Sequence, residues 1–176
     1  MRKRLIKEVG CVGLDLSLTC AAGVYLPPNW EPGDWPSVHT ITCGYGVKGK
    51  DPRERAERLS FIATELAAFV LRAGAHHVYA EDYAYGLAGL AGMALGELGG
   101  AVKAHFWASL RIAVVPVNNM TARKYFLGKL PRKGAAQEVH RVLREMGWQS
   151  KTADTGDALV IANYGRSELG LPGLAQ

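Results

Sequence analysis

The chain has 176 residues, 48% of them apolar and 21% charged, with a net charge of +5. Those proportions are ordinary for one globular domain with a real core, and no run of about 18 apolar residues indicates a membrane span. Three cysteines without a CxxC spacing speak against a disulfide framework and against a zinc site.

The chain opens with a basic arm, residues 1–9, holding Arg2, Lys3, Arg4 and Lys7. No apolar signal core follows it, so a cytoplasmic protein is expected. CVGLDLS (11–17) is a short apolar run and reads as a buried strand, with AAGVYLP (21–27) as its hairpin partner. PPNWEPGDWP (27–36) is too rich in proline for an element, and nothing in the sequence assigns a role to Trp30 and Trp35. SVHTITCGYG (37–46) alternates and is β-branched, which predicts a third antiparallel strand.

The period then changes. Residues 51–74 place Ala56, Leu59, Ile62, Ala63, Leu66 and Phe69 at helical spacing, with Pro52 in the first turn and Gly74 past the end. HHVYAED (76–82) predicts a strand, and residues 85–110 a helix in spite of many glycines. Those glycines cost helix stability, so close packing against another backbone is expected there. RIAVVPV (111–117) predicts a strand. Asn118 or Asn119 suits the cap of a short helix over TARKYFL, and a basic loop, GKLPRKG (128–134), follows. Amphipathic AAQEVHRVLREMG (135–147) and a last helix over about 153–166 complete the order, with residues 167–176 expected to be loose. Three antiparallel strands followed by strands alternating with helices predict a single α/β domain: a mixed five-stranded sheet with helices on both faces.

Charge is concentrated. Between Met120 and Lys151 there are eight basic residues (Arg123, Lys124, Lys129, Arg132, Lys133, Arg141, Arg144 and Lys151) and two acidic ones. Such a segment is either a solvated face or a polyanion-binding one. The acids decide between them. Asp15 lies inside an apolar strand, where an unpaired carboxylate costs several kcal/mol, on the order of what a buried lone charge costs anywhere. Glu81 ends a second apolar strand. Asp154 and Asp157 open the last helix and share a face at i, i+3. Asp154 alone would suit a helix cap, and both aspartates suit the positive end of the helix dipole. If the first strand and HHVYAED are neighbours, Asp15 and Glu81 lie side by side. Carboxylates gathered in this way repel unless a divalent cation neutralises them, and hard oxygen ligands suit Mg²⁺ or Mn²⁺. Two such ions about 4 Å apart would bracket a phosphodiester.

These motifs resemble the RuvC-type Holliday junction resolvases of the RNase H-like superfamily, and their phage-type members in particular. VGLDLSLTCAAG carries Asp15, VYAEDYAYG carries Glu81, and DTGDALVIA carries Asp154 and Asp157, in family order over residues 10–166. The glycine-rich GLAGLAGMALGELGGAV and the basic run after VVPV are also similar to the family's. The resemblance implies a homodimeric, metal-dependent endonuclease with an RNase H-like sheet. It would nick opposing strands of four-way DNA junctions symmetrically, with Asp15, Glu81, Asp154 and Asp157 holding two Mg²⁺ or Mn²⁺ ions. A two-fold junction suits a C2 protein, and residues 86–102 are the candidate seam, with packing on the chain's own sheet as the other use of those glycines.

Lys124 matches the family's basic position near the site. Arg132 or Lys133 would replace a lysine that is missing where this chain reads AAQEV, and Arg123 and Lys129 complete the basic set. Tyr83 or Tyr85 would stack on opened bases, although out of the family's register. Ser17 and Thr19 would donate to phosphate or cap the turn after Asp15. Recognition is expected to rest on shape and backbone charge, and so to weaken steeply with salt. Two rivals remain at this level: a ribonuclease of the RNA-processing branch of the fold, and a branched-DNA-binding protein without catalysis.

Overall fold

The computed structural model describes residues 10–46, 51–82, 90–149 and 152–174. The basic arm, Tyr83, Tyr85, Lys151 and the start of the glycine-rich stretch lie outside the described residues.

Strands β1 (Cys11–Asp15), β2 (Ala21–Leu26), β3 (His39–Cys43), β4 (His77–Glu81) and β5 (Val114–Val117) form one sheet in the order β3-β2-β1-β4-β5. The first three pair antiparallel, while β4 pairs parallel with β1 and with β5. This is the mixed sheet that the sequence order predicts. Every residue of β1 is buried, because helices cover both faces of the sheet.

On one face lie α1 (Pro52–Ala73) and α2 (Leu90–Leu110). Asp51 caps α1 by accepting from the Glu54 amide at 2.9 Å, Pro52 fills the first turn, and Gly74 ends it at φ 64°. Ile62, Leu66 and Val70 of α1 and Leu98, Val102 and Phe106 of α2 pack with Val12, Leu14 and Val78 of the sheet. The opposite face carries α3 (Asn119–Leu127), α4 (Ala135–Glu145) and α5 (Ala153–Glu168). α5 is buried nearly all round, so its polar residues all need partners.

α5 reaches the sheet through Gly13. A Cβ there would stand 2.2 Å from the Ala158 carbonyl oxygen and 2.3 Å from the Ala162 amide nitrogen, so only glycine lets the helix lie directly on β1. That approach brings the first turns of α5 over the end of β1.

Two parts of the chain that the sequence leaves without a role close this face. The proline-rich loop contains a one-turn 3-10 helix, Trp35–Ser37, and a row of indoles. Trp30 meets Trp35 at 5.8 Å, and Trp35 meets Trp148 at 5.3 Å. Beneath them Arg166 of α5 is fully buried and donates to the carbonyls of Pro27 (2.6 Å), Trp30 (3.2 Å), Pro28 (3.4 Å) and Pro172 (2.9 Å). Residues 169–174, expected to be loose, are instead docked. Leu171 and Leu174 are buried, and the Asn163 amide donates to the Leu174 carbonyl at 2.9 Å. Two buried leucines, the Asn163 amide and Arg166 hold a tail whose composition reads as loop.

Among the described residues no helix is long and apolar enough to cross a membrane.

Candidate active site at the ends of the central strands

β1 and β4 run parallel, with Leu14 opposite Ala80, so their last residues, Asp15 and Glu81, are neighbours. The carboxyl-terminal edge of adjacent parallel strands is where α/β sheets place their chemistry. Asp15 is 7% exposed. Burial pushes its carboxyl up to about 9, helped by a hydrogen bond to Glu81 and by the charges of Glu81, Asp157 and Asp154. The other three acids that the sequence nominates thus all raise the Asp15 carboxyl.

Their individual partners differ. Asp157 is 7% exposed and is clamped by Arg123, whose Nε donates to Oδ1 at 3.0 Å and whose Nη2 donates to Oδ2 at 2.8 Å. Burial opposes the charge on Arg123, but Asp157, Glu81 and Asp15 outweigh it, and its hold on the proton rises. Glu81 accepts from the Asn119 side-chain amide at 3.1 Å. Asp154 lies at the edge of the group, against the Cys20 thiol, which burial and this acid both raise. The cap of α5 is Thr152, not Asp154. Thr152 and Thr155 form a reciprocal capping box, which leaves the Asp154 carboxylate free of capping duty.

α3 supplies two residues that the sequence reading did not assign to these places. Asn118 takes the cap, accepting from the Met120 and Thr121 amides at 2.9 and 3.3 Å. Asn119, one position on, is thereby aimed at Glu81, and Arg123 follows on the same face four residues later. The signal was the burial of Ala122 and Phe126, which fixes the helix phase. It turns Arg123 inward and leaves Lys124 exposed. The basic side chain that touches the carboxylates is thus Arg123, while Lys124, the next residue, is exposed.

Lys129, Arg132 and Lys133 are exposed on the loop after α3. Ser17 caps the β1–β2 turn, accepting from the Thr19 and Cys20 amides at 3.3 Å each, and its hydroxyl lies 3.2 Å from that of Thr19. The turn-capping role is therefore filled. His140, Arg144, Trp148 and Thr152 line a cavity of about 510 Å³ next to the start of α5, to one side of the carboxylates.

As the side chains stand, no three His, Cys, Asp or Glu among the described residues converge closely enough to hold one ion. The donor set nevertheless fits a hard divalent cation. It is all oxygen, Asp15 and Asp157 are buried, and Asp15 holds its proton above the ordinary range because of burial first and its acidic neighbours second. The Asn119 Oδ1 atom is also buried and without a partner, one more oxygen acceptor at the same place. Among the described residues Arg123 is the positive group paired with these acids, and it stands where cationic charge is needed.

No protein-family model matches the chain, and no curated protein matches it in sequence. Solved structures do match. The Thermus thermophilus RuvC structure superposes with a TM-score of 0.64 at 19% identity, covering 92% of this chain and 97% of that one. T. thermophilus RuvC in complex with Holliday junction substrate gives a TM-score of 0.65 at 14% identity, covering 96% of this chain and 98% of that one. The chain has the RuvC fold. The likeness extends over more than nine-tenths of the chain.

Proposed function

We propose that this protein is a divalent-metal-dependent endonuclease that resolves four-way DNA junctions, and that it works in the cytoplasm as a homodimer. The observation that carries the reading is that Asp15 and Glu81 end adjacent parallel strands, with Asp157 and Asp154 of α5 near enough to raise the Asp15 carboxyl. Support comes from the fold it shares with RuvC, one structure of which holds a Holliday junction substrate.

Asp15, Glu81 and Asp157, with Asp154 beside them, would hold Mg²⁺ or Mn²⁺. When bound, two such ions supply charge neutralisation on both the attacking and the leaving side of a phosphodiester. The chain's own residues prepare for this. Asn119 fixes one oxygen of Glu81, the Gly13 contact lets α5 lie directly on β1, and Thr152 starts α5 so that both aspartates fall in its first turns. Lys124, Lys129, Arg132 and Lys133 offer an exposed basic track for phosphates.

Asn119→Ala is expected to slow nicking 10- to 100-fold, on the order of losses of residues that orient metal ligands. Junction affinity should stay unchanged, and single-turnover nicking beside a gel-shift titration separates the two.

Homodimerisation rests on α2. Its inner side is filled by Leu98, Val102 and Phe106, while Leu90, Met93 and Trp107 are 85%, 68% and 56% exposed. Among the described residues a Cβ on Gly96 or Gly100 would meet nothing within 4 Å, so packing against them does not require these glycines. Exposed helical glycine costs about 1 kcal/mol relative to alanine. A second copy seated on this stripe gives that cost a purpose. Replacing both Gly96 and Gly100 with Gln should strengthen the helix yet convert dimer to monomer in sedimentation velocity.

The test of the reading itself is a substrate comparison with and without Mg²⁺. A four-way DNA junction should be cut only with metal, and a structured RNA should be spared. Preferential cleavage of the RNA would favour the ribonuclease branch, and binding of the junction without cleavage would leave a binding module.

A further inference from the structure

We propose that Arg123 is the resident cation of the metal-free site, and that it must release Asp157 before that carboxylate can ligate a divalent ion. The inference rests on the metal-nuclease reading above. Its basis is geometric. The guanidinium engages both oxygens of Asp157, at 3.0 and 2.8 Å, in a two-point clamp, and both side chains are largely buried, at 16% and 10% exposed. Planar bidentate pairing of this kind is strong and directional.

The clamp explains two observations together. Asp157 is buried over Asp15 and Glu81, so without a cation it would add an uncompensated charge to an already acidic group. The acids also converge without forming a three-ligand group among the described residues, because Asp157 is turned toward α3. Divalent ions bring more positive charge than the site needs if Arg123 stays. Repulsion then drives the guanidinium out, toward the side where α3 continues into the exposed basic loop. Once freed, it is a bidentate donor at the place a phosphate would occupy. Metal loading and DNA binding thus become linked through one side chain, and linkage requires each to tighten the other.

The experiment is a calorimetric titration of the full chain with Mn²⁺ in the absence of DNA. It compares the wild type with Arg123→Gln and Arg123→Lys, the latter keeping the charge but losing the two-point grip. Arg123→Gln should bind Mn²⁺ about tenfold more tightly than wild type, with Arg123→Lys between them. Unchanged or weaker Mn²⁺ binding by both variants, with the wild type binding Mn²⁺, would overturn the clamp and leave the nuclease reading standing. If Arg123→Gln does not fold, the Arg123→Lys comparison decides alone, tighter binding supporting the clamp and equal or weaker binding overturning it. Failure of all three proteins to bind Mn²⁺ would overturn both the clamp and the reading beneath it.

Discussion

Asp15→Asn is expected to abolish nicking, by about 10³-fold or more, while leaving junction affinity intact and making the metal-free protein more stable. The catalytic loss follows from removing one anionic oxygen at the centre of the group, where charge stabilisation of several kcal/mol is at stake and each 1.36 kcal/mol is worth about tenfold. Binding should persist because it draws on exposed cations that the substitution does not touch.

The gain in stability follows from the position of the Asp15 carboxyl. In the fold, burial and its acidic neighbours push it up to about 9, from an ordinary value of 3.8. Between those two values the folded state keeps a proton that the unfolded chain has lost. Metal-free stability is therefore fully present below about pH 4 and declines as pH rises toward 9. Asparagine is neutral throughout and still donates to Glu81. At pH 8 without metal the variant should melt higher, by roughly 3–6 °C for a gain of 1–2 kcal/mol in a domain of this size. Its melting temperature should also lose the dependence on pH over that window. Mn²⁺ should raise the melting temperature of the wild type and not of the variant, because only the wild type gains from binding. Thermal melts across pH with and without Mn²⁺, beside nicking assays, check every part.

Arg166→Met carries the second large effect, and it falls on the fold. The guanidinium is fully buried and serves four carbonyls from three places, the Pro27–Pro28 turn, Trp30 and Pro172, while facing the Trp30 ring at 5.6 Å. Methionine fills much of the volume but donates nothing, so carbonyls that water reaches poorly lose their partner. A loss of about 3–5 kcal/mol is expected, comparable to breaking other buried charged contacts. The damage should be local at first. The proline-rich loop and the tail at Leu171–Leu174 should lose protection in hydrogen exchange before the sheet does. If the variant melts within a degree or two of wild type, the clamp of loop and tail onto α5 contributes little.

The contrast between these two residues shows what the sequence could convey. Asp15 announces itself because an acid inside VGLDL has no benign place in a buried strand. The parallel pairing of its strand with HHVYAED makes Glu81 its neighbour, and the mixed five-stranded sheet with helices on both faces follows from the change of period along the chain. Arg166 gives no such signal. At the end of a helix, next to Ser167 and Glu168, it reads as a surface cation, and its carbonyl partners lie up to 139 positions away. Arg123 and Lys124 are adjacent, and a step of one residue turns a helix by about 100°. Which of them faces the acids is set by how Ala122 and Phe126 pack, a tertiary fact. Asn119 is missed for the same reason, since either asparagine suits a cap. Thr152 displaces Asp154 from the cap through a reciprocal bond with Thr155, a difference of two residues that composition does not resolve.

The glycine-rich helix was legible only in part. Its glycines suggest close approach to another backbone, yet Gly96 and Gly100 face open space. The aliphatic and aromatic residues Leu98, Val102 and Phe106 make its contacts within the chain instead.

The most direct measurement is nick mapping on a four-way junction labelled on each strand in turn and incubated with Mn²⁺. Two nicks at symmetry-related positions on opposing strands, absent without metal and absent in Asp15→Asn, are the expected result. Intact strands with Mn²⁺, or the same nicks made equally well by Asp15→Asn, would contradict the account.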